Sequence, residues 1–391
     1  MTPAARLQAA IEILDLVIES AREQGAPADA IVTRYFKTRR YAGSKDRRAV
    51  RELVFRAIRR TAARPESGRA AIVGLAQDDP ELVALFGEPR GPEPLIDGEQ
   101  ASSAGTVPEW LVPELSPLLP PEEWPGLLER APVDLRVNIA RTSRDEMLGA
   151  FPGGEPTRLS PWGIRLLPDT RVDDSEPAQA GLVEVQDEGS QLIALACDPQ
   201  PGQRILDLCA GAGGKSLALA AAAPATTILA TDSNRARLSK LPPRAERAHA
   251  AIETLLLNPP RELAELHDWR GTADLVLVDA PCSGSGTWRR NPEGRWRLTP
   301  ERLDRLVSAQ ERLLDIGSEL VKPGGALVYA VCSLLGREGA GQVQSFLGRG
   351  SDWVVQDILE GAGRSDGSGR LLTPAHDATD GFFIARLVKP C

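Results

Sequence analysis

Four short apolar runs in the second half of the chain most strongly constrain its fold. They cover residues 204–208, 227–231, 274–278 and 326–330, and segments of helical length separate them. Such runs are typical of parallel strands buried on both faces, and their alternation with helices is typical of a doubly wound sheet. Residues 381–387 predict one more strand. We therefore predict an α/β fold from residue 202 onward.

A glycine-rich segment follows the first of these strands and precedes a helical pattern. Its residues are Cys209, Ala210, Gly211, Ala212, Gly213, Gly214, Lys215 and Ser216. A glycine-rich turn between a strand and a helix lets the backbone approach a nucleotide closely. The phosphate-binding P-loop pattern requires glycine at position 209, where this chain has cysteine. The sequence thus favours a cofactor without phosphates.

An acidic residue, Asp232, ends the second strand, 25 residues after Asp207. A carboxylate at this point can accept hydrogen bonds from both ribose hydroxyls of an adenosine cofactor. The alternative is that Asp232 only caps the following helix. An adenosine cofactor without phosphates indicates S-adenosylmethionine, although NAD enzymes share this architecture.

Composition excludes several classes of protein. No apolar stretch approaches the 18 residues of a membrane-spanning helix, and the N-terminus lacks the pattern of a signal peptide. The five cysteines lack CxxC spacing and the three histidines form no ligand-like array, so we expect neither a disulfide framework nor a metal. We expect a cytoplasmic monomer without a membrane partner.

The net charge of −8 argues against a nucleic-acid partner, but the charge is unevenly distributed. Residues 4–64 have a helical pattern, and residues 34–64 contain twelve Lys and Arg residues against two acidic ones. Tyr35, Phe36 and Tyr41 are interleaved with these cations. The block is either the solvated face of a helical bundle or a phosphate-binding surface with aromatic platforms for unpaired bases.

Two cysteines follow predicted strands directly. Cys282 comes after the third strand, which ends at Asp279, and Cys332 comes after the fourth. Most cysteines are inert small apolar residues. Doubly wound sheets, however, have their sites at the carboxyl ends of the strands, and the glycine turn lies at the same edge. This shared position favours a chemical role.

Several motifs together resemble the RNA cytosine-C5 methyltransferases of the Sun/RsmB/NOL-NOP family. They are Asp207-Leu208-Cys209-Ala210-Gly211-Ala212-Gly213-Gly214-Lys215, Asp279-Ala280-Pro281-Cys282-Ser283-Gly284, Arg290-Asn291-Pro292-Glu293, Cys332-Ser333 and Asp380-Gly381-Phe382-Phe383. The resemblance is close from about Leu135 onward and looser over the N-terminal helices, which are similar to the NusB-like extension of bacterial RsmB. It implies a Rossmann-like S-adenosylmethionine-dependent methyltransferase fold with a mostly parallel seven-stranded sheet, a helical N-terminal domain and a small α+β RNA-binding subdomain.

The resemblance also assigns catalytic roles. It implies that the Cys332 thiolate attacks C6 of cytosine, which activates C5, and that Cys282 assists product release. Asp279 is expected to hydrogen-bond the base. Lys215 resembles the active-site lysine of the family and is expected to lower a thiolate pKa or to pair with Asp279.

The remaining site residues are assigned to cofactor and RNA. Residues 209–215, Asp232, Asn258 and Asp279 are expected to bind S-adenosylmethionine, with Asn258 in place of the acid that reads adenine in the family. The family proline in the glycine loop is Ala212 here, the usual threonine before the nucleophile is Val331, and the acidic stretch that follows is reduced to residues 337–339. An Arg/Trp segment is expected to contact a flipped nucleotide and its phosphates, namely Arg289, Arg290, Arg295, Arg297, Trp288 and Trp296. The alternative for one or two of these arginines is that they only pair with acids in the core.

The chain thus divides into four predicted parts. These are a helical NusB-like RNA-binding extension (1–64), a Pro-rich acidic linker with docking helices (65–130), a small α+β subdomain (131–186) and a catalytic domain (187–391). The expected substrate is 16S ribosomal RNA. The alternatives are a transfer-RNA methyltransferase, a non-catalytic ribosome assembly factor and a small-molecule methyltransferase. The small-molecule alternative gives no role to the basic block.

Overall fold

The computed structural model describes residues 1–168, 170–350 and 352–391, which form two compact units. The first, which we call the helical unit, comprises Met1–Leu115, Pro121–Glu129 and Thr287–Pro300. The second, the sheet unit, comprises Ser116–Pro120, Arg130–Gly286 and Glu301–Cys391. Across the described residues, no helix combines the length and apolar character needed to span a bilayer.

The helical unit is built on four main helices. Its helices are α1 (Pro3–Arg22), α2 (Ala28–Lys37), α3 (Ser44–Arg60), α4 (Gly68–Asp78) and α5 (Pro80–Val83), with short 3-10 helices at Glu109–Glu114, Pro121–Leu128 and Pro292–Arg297. The sequence predicts α1 to α3, because their apolar residues recur at helical spacing and become the core. The Thr2 hydroxyl accepts from the Ala5 amide and begins α1.

The first part of the predicted linker (65–130) is not a linker in the structure, because it contains helix α4. Helix α4 lies inside the core of the helical unit, where Ile72 is fully buried. Its first residue, Gly68, approaches α1 so closely that a Cβ would lie 2.2 Å from the Ile11 carbonyl oxygen. The Gly68 amide donates to Asp15 on α1. Glycine, a residue expected in a linker, here permits close helix packing.

The Arg/Trp segment belongs to the helical unit, and Trp296 is part of its apolar core. The indole of Trp296 is buried and donates to the Thr61 carbonyl at 2.9 Å. Arg295 is also buried and donates to the Ile58 carbonyl at 2.6 Å, and burial lowers its pKa to about 9. Glu293 accepts from the Ala28 amide and thereby caps α2. The sequence-based assignment of Arg295 and Trp296 to RNA is therefore wrong, because carbonyl groups of the helical unit satisfy both side chains.

Two of the three aromatic residues predicted as platforms for RNA bases are likewise internal. Tyr35 and Phe36 are buried in the helical core, whereas Tyr41 is 72% exposed. Only Tyr41 has the exposure that a platform for RNA bases requires. Most cations of the block remain at the surface.

The sheet unit begins with a small antiparallel sheet of order β2-β3-β1-β4. Its elements are β1 (Val133–Val137), α6 (Arg144–Ala150), β2 (Glu155–Pro156), β3 (Gly163–Leu166), α7 (Glu176–Gln179) and β4 (Val183–Val185). A capping box between Ser143 and Glu146 starts α6. Leu135 and Ile164 belong to the separate apolar core of this sheet.

The large sheet has the order β11-β12-β13-β9-β8-β5-β6-β7, and β10 pairs with β13. Its strands are β5 (Arg204–Asp207), β6 (Thr227–Asp232), β7 (Glu253–Leu256), β8 (Ala273–Asp279), β9 (Val321–Val331), β10 (Val354–Gln356), β11 (Arg364–Ser365), β12 (Arg370–Leu372) and β13 (Phe382–Val388). The helices of this region are α8 (Glu188–Ala196), α9 (Gly214–Ala222), α10 (Arg235–Leu238), α11 (Leu241–Ala248), α12 (Glu262–Glu265), α13 (Pro300–Leu320), α14 (Ala340–Gly348) and α15 (Pro374–Asp377), with 3-10 helices at His267–Trp269 and Ser285–Thr287.

The predicted mostly parallel core is confirmed, with one difference in size. Strands β7, β6, β5, β8 and β9 are parallel, and β13 pairs antiparallel with β9. The described part of the sheet has nine strands rather than the expected seven. The additional strands at the antiparallel end are short and contain no apolar run that would predict them.

Candidate active site

The loops that follow β5, β6, β8 and β9 meet at one edge of the large sheet. Strands β8 and β9 are neighbours, and Asp279 pairs with Ala330 at their carboxyl ends. Cys282 lies three residues beyond β8, and Cys332 directly follows β9. The topology thus brings together the side chains that the sequence singles out.

The two thiols are in contact. The Sγ atoms of Cys282 and Cys332 lie 3.3 Å apart, and both residues are partly buried. The hydrogen bond with Cys332, together with burial, raises the pKa of the Cys282 thiol well above its usual value. Cys282 is therefore held as a protonated thiol next to Cys332.

Lys215 and Asp279 form an ion pair near these thiols. The Lys215 Nζ lies 2.7 Å from the Asp279 Oδ2. Burial alone lowers the pKa of the Lys215 ammonium, but the Asp279 carboxylate and a charge on Cys332 outweigh this effect and raise it. Lys215 stays cationic and can stabilise negative charge on the neighbouring carboxylate or thiol.

The glycine turn is held in a conformation that needs glycine. Gly213 has φ of 82°, and a Cβ on it would lie 1.8 Å from Leu241 Cδ1. The Ala210 amide donates to the Thr231 carbonyl on β6. Arg244 donates to the Ala212 carbonyl, and this bond restrains the loop at the position where the family has proline.

Two carboxylates flank this turn. Asp207 is fully buried, its Oδ2 accepts from the Ser216 hydroxyl at 2.6 Å, and burial raises its pKa to about 7. Asp232 accepts from the Gly211 amide at 2.8 Å and from the Asn234 amide at 2.6 Å. Asn234, not Asp232, is the N-cap of α10. Asp232 therefore supports the loop geometry while each of its oxygens retains a second lone pair for a ligand.

Asn258 and Cys209 differ from the other site residues. Asn258 is exposed and donates its side-chain amide to Glu265 at 2.9 Å. Burial and the nearby carboxylates raise the pKa of the Cys209 thiol, so this cysteine remains protonated. The structure gives Cys209 no nucleophilic character.

Sequence reasoning missed two residues at this edge. Glu338 is fully buried among the loops of the two thiols, and its only sequence signal was its place in the weakened acidic stretch. Gln186 lies with its amide nitrogen 3.7 Å from the position of a Cβ on Gly214. The Gln186 Oε1 accepts from buried Arg136, whose pKa burial lowers to about 10. No spacing rule links Gln186 to the glycine turn.

The site fits a nucleoside cofactor. The Oδ1 of Asp207 is buried without a hydrogen-bond partner next to the turn, and the backbone at Gly213 leaves no room for a side chain. The expectation that residues 209–215 and Asp232 bind S-adenosylmethionine stays a prediction. Within the described ranges, no cluster of three or more His, Cys, Asp or Glu side chains is arranged for a metal ion.

Comparison with known proteins gives one consistent family. The family model described as 16S rRNA methyltransferase RsmB/F matches residues 194–388. Ribosomal RNA small subunit methyltransferase B of Photorhabdus laumondii is 35% identical over 298 residues, which cover 74% of this chain and 67% of that protein. The protein of the same name from Pectobacterium atrosepticum is 34% identical over 315 residues, which cover 77% of this chain and 70% of that protein.

Solved structures are similar over all or most of the chain. The crystal structure of PH0851 has a TM-score of 0.77 at 22% identity and covers 100% of this chain and 99% of that one. A methyltransferase homologue from Pyrococcus horikoshii has a TM-score of 0.59 at 26% identity and covers 68% of this chain and 89% of that one. These similarities agree with the predicted fold class.

Proposed function

Because this chain belongs to the RsmB/F family of 16S rRNA methyltransferases, we propose that it methylates C5 of a cytosine in 16S ribosomal RNA through a covalent adduct. It is a methyltransferase, and its cofactor is S-adenosylmethionine. The observation that most directly supports the cytosine chemistry is the 3.3 Å separation of the Cys282 and Cys332 sulfurs. A methyltransferase acting on a stronger nucleophile has no need of two adjacent thiols.

The thiols solve a specific chemical problem. Cytosine C5 is too weak a nucleophile to accept a methyl group directly. When the Cys332 thiolate forms a bond with C6, the electron pair of the C5–C6 double bond becomes available at C5. S-adenosylmethionine supplies the electrophilic methyl group. Loss of the C5 proton and breakage of the S–C6 bond then restore the aromatic base and free Cys332.

The Lys215–Asp279 ion pair and the second thiol, Cys282, take part in this reaction. Asp279 uses Oδ2 to bind Lys215 and is one-quarter exposed, so it can also hydrogen-bond the amino group of the base. The Lys215 cation interacts electrostatically with Cys332 and can stabilise negative charge that develops on its sulfur during the reaction. Cys282, which keeps its proton, is suited to donate that proton to the Cys332 sulfur as the S–C6 bond breaks, and the thiolate that this leaves on Cys282 can accept the C5 proton.

The exposed cations of the helical unit are the proposed contact with RNA phosphates. Arg47, Arg48 and Arg51 line a cavity of about 310 Å³, and all three are exposed. Arg51 already pairs with Asp29, so it is the least available of the three. The expectation of a monomer stays a prediction.

The decisive experiment combines product analysis with adduct trapping. The protein is incubated with tritium-labelled cofactor and 16S or transfer RNA from a strain lacking the gene, and the digested nucleosides are separated. We expect labelled 5-methylcytosine from 16S ribosomal RNA. Label in transfer RNA alone would show that transfer RNA is the substrate, and the absence of label from every RNA would refute the activity.

Cysteine variants test the covalent step. Cys332→Ala removes the attacking sulfur, so we expect no stable protein–RNA complex on denaturing gels. Cys282→Ala retains attack but slows release, so we expect the complex to accumulate. Cys391→Ala, at an exposed terminal thiol, is the matched control. The reverse pattern would exchange the two roles.

A further inference from the structure

Glu338 lies at the centre of a hydrogen-bond network that joins the two thiol loops. Its Oε1 accepts from the Ser283 amide at 2.9 Å, and Ser283 is the residue after Cys282. Its Oε2 accepts from the Ser333 hydroxyl at 2.6 Å, and Ser333 is the residue after Cys332. One carboxylate therefore binds both loops next to their sulfurs.

Helix α13 and strand β9 fix Glu338 itself. The Gln310 amide on α13 donates to Glu338 Oε1 at 2.9 Å and also to the Pro281 carbonyl at 2.9 Å. The Tyr329 hydroxyl on β9 donates to the Glu338 carbonyl at 2.6 Å. Burial raises the pKa of Tyr329, so its hydroxyl keeps the proton that it donates. The carboxylate is thus anchored to rigid elements rather than to the loops alone.

The hydrogen bonds of the Glu338 carboxyl group come from donors on three other residues. The Ser333 hydroxyl donates to Glu338, and its oxygen accepts from the Leu335 amide at 3.1 Å. The Ser283 amide and the Gln310 side-chain amide can only donate. A buried carboxylate is costly for the core, where an apolar side chain would pack with less desolvation. The residue therefore fits a positioning role better than a packing role.

We propose that Glu338 is a positioning residue that holds the Pro281-Cys282 loop and the Cys332 loop together, so that the two sulfurs stay at reacting distance. This proposal rests on the proposed function, in which both thiols take part in one turnover. The negative charge of Glu338 acts in the same direction as the hydrogen bond with Cys332 and burial, which raise the pKa of Cys282. Glu338 thereby also helps to keep Cys282 protonated.

The first test measures turnover in the full-length protein. Glu338→Gln keeps the shape and one acceptor but removes the charge and alters the bond with Ser333. We expect kcat to fall roughly 10- to 100-fold while KM for S-adenosylmethionine stays within about 3-fold, because the cofactor residues are untouched. Glu360→Gln, at an exposed position, is the matched control and should match the wild type. Thermal unfolding confirms that both variants are folded.

The second test does not depend on activity. The rate of Cys282 alkylation by iodoacetamide is followed against pH by peptide mass spectrometry. We expect the Cys282 thiolate to form at lower pH in Glu338→Gln than in the wild type or in Glu360→Gln. An unchanged alkylation profile overturns the proposal, as does an unchanged kcat in an active enzyme. If the wild type forms no 5-methylcytosine, the proposed function fails and the alkylation profile alone decides the role of Glu338.

Discussion

The substitution Trp296→Ala distinguishes an internal role of the Arg/Trp segment from contact with RNA. Trp296 is 1% exposed within the helical core, and its indole donates to the Thr61 carbonyl. The alanine variant loses the apolar contacts of the ring, leaves a cavity and leaves the Thr61 carbonyl without this donor. The helical unit should therefore be destabilised.

The expected size follows from these two losses. Replacing a buried tryptophan by alanine costs about 3–5 kcal/mol, and a carbonyl left without its donor costs about 1 kcal/mol or more. A typical domain has a total stability of about 5–15 kcal/mol. We therefore expect the free energy of unfolding of the helical unit to fall by about 4 kcal/mol or more. The helical unit of the variant should then unfold at a lower denaturant concentration than that of the wild type.

Hydrogen exchange monitored by mass spectrometry in increasing urea can localise this effect. Peptides from α1, α3 and α4 should exchange at lower urea concentration in Trp296→Ala than in the wild type. Tyr41→Ala is the control, because Tyr41 is 72% exposed and its removal should change stability by no more than about 0.5 kcal/mol. If Trp296→Ala keeps wild-type protection but loses affinity for RNA, the internal role is refuted.

Two other predictions concern the glycine turn and its buried acid. Gly213→Ala introduces a Cβ at positive φ and against Leu241, so we expect cofactor affinity by calorimetry to fall at least roughly 10-fold, and unchanged affinity would contradict the strained turn. Burial raises the pKa of Asp207 to about 7 in the folded protein, against about 3.9 in the unfolded chain. As pH rises from about 4 to 7, the unfolded chain loses this proton before the folded protein does, so the stability of the wild type falls. Asp207→Asn lacks this pH dependence, which amounts to about 4 kcal/mol in total. The urea midpoint of the variant should therefore rise relative to the wild type from about pH 4 to 7, and a constant difference would contradict the raised pKa.

The parallel core of the sheet unit was predictable because its signals are local. Each parallel strand next to the site is a continuous apolar run, and its functional side chain follows within a few residues, as Asp279 and Cys332 do. Since the carboxyl ends of parallel strands share one edge, the order of motifs along the chain was enough to bring Cys282 and Cys332 together.

The remaining features depend on contacts that are distant in sequence. Arg295 and Trp296 bind carbonyl groups more than 230 residues earlier in the chain, so no local pattern marks them as internal. An arginine beside a tryptophan has the same composition whether carbonyl groups or phosphates satisfy it. Glu338 was missed for a similar reason, because its partners Ser283 and Gln310 lie on other elements.

The helical unit is built from three segments that are separate in the sequence. Its core draws on the N-terminal helices and on residues 287–300, and about 160 residues of the sheet unit lie between Glu129 and Thr287. During translation, α1 to α4 leave the ribosome long before Trp296 and Arg295 are synthesised. The N-terminal helices therefore lack part of their core until residues 287–300 have been synthesised, so the helical unit cannot finish folding before residues 130–286 of the sheet unit have been made.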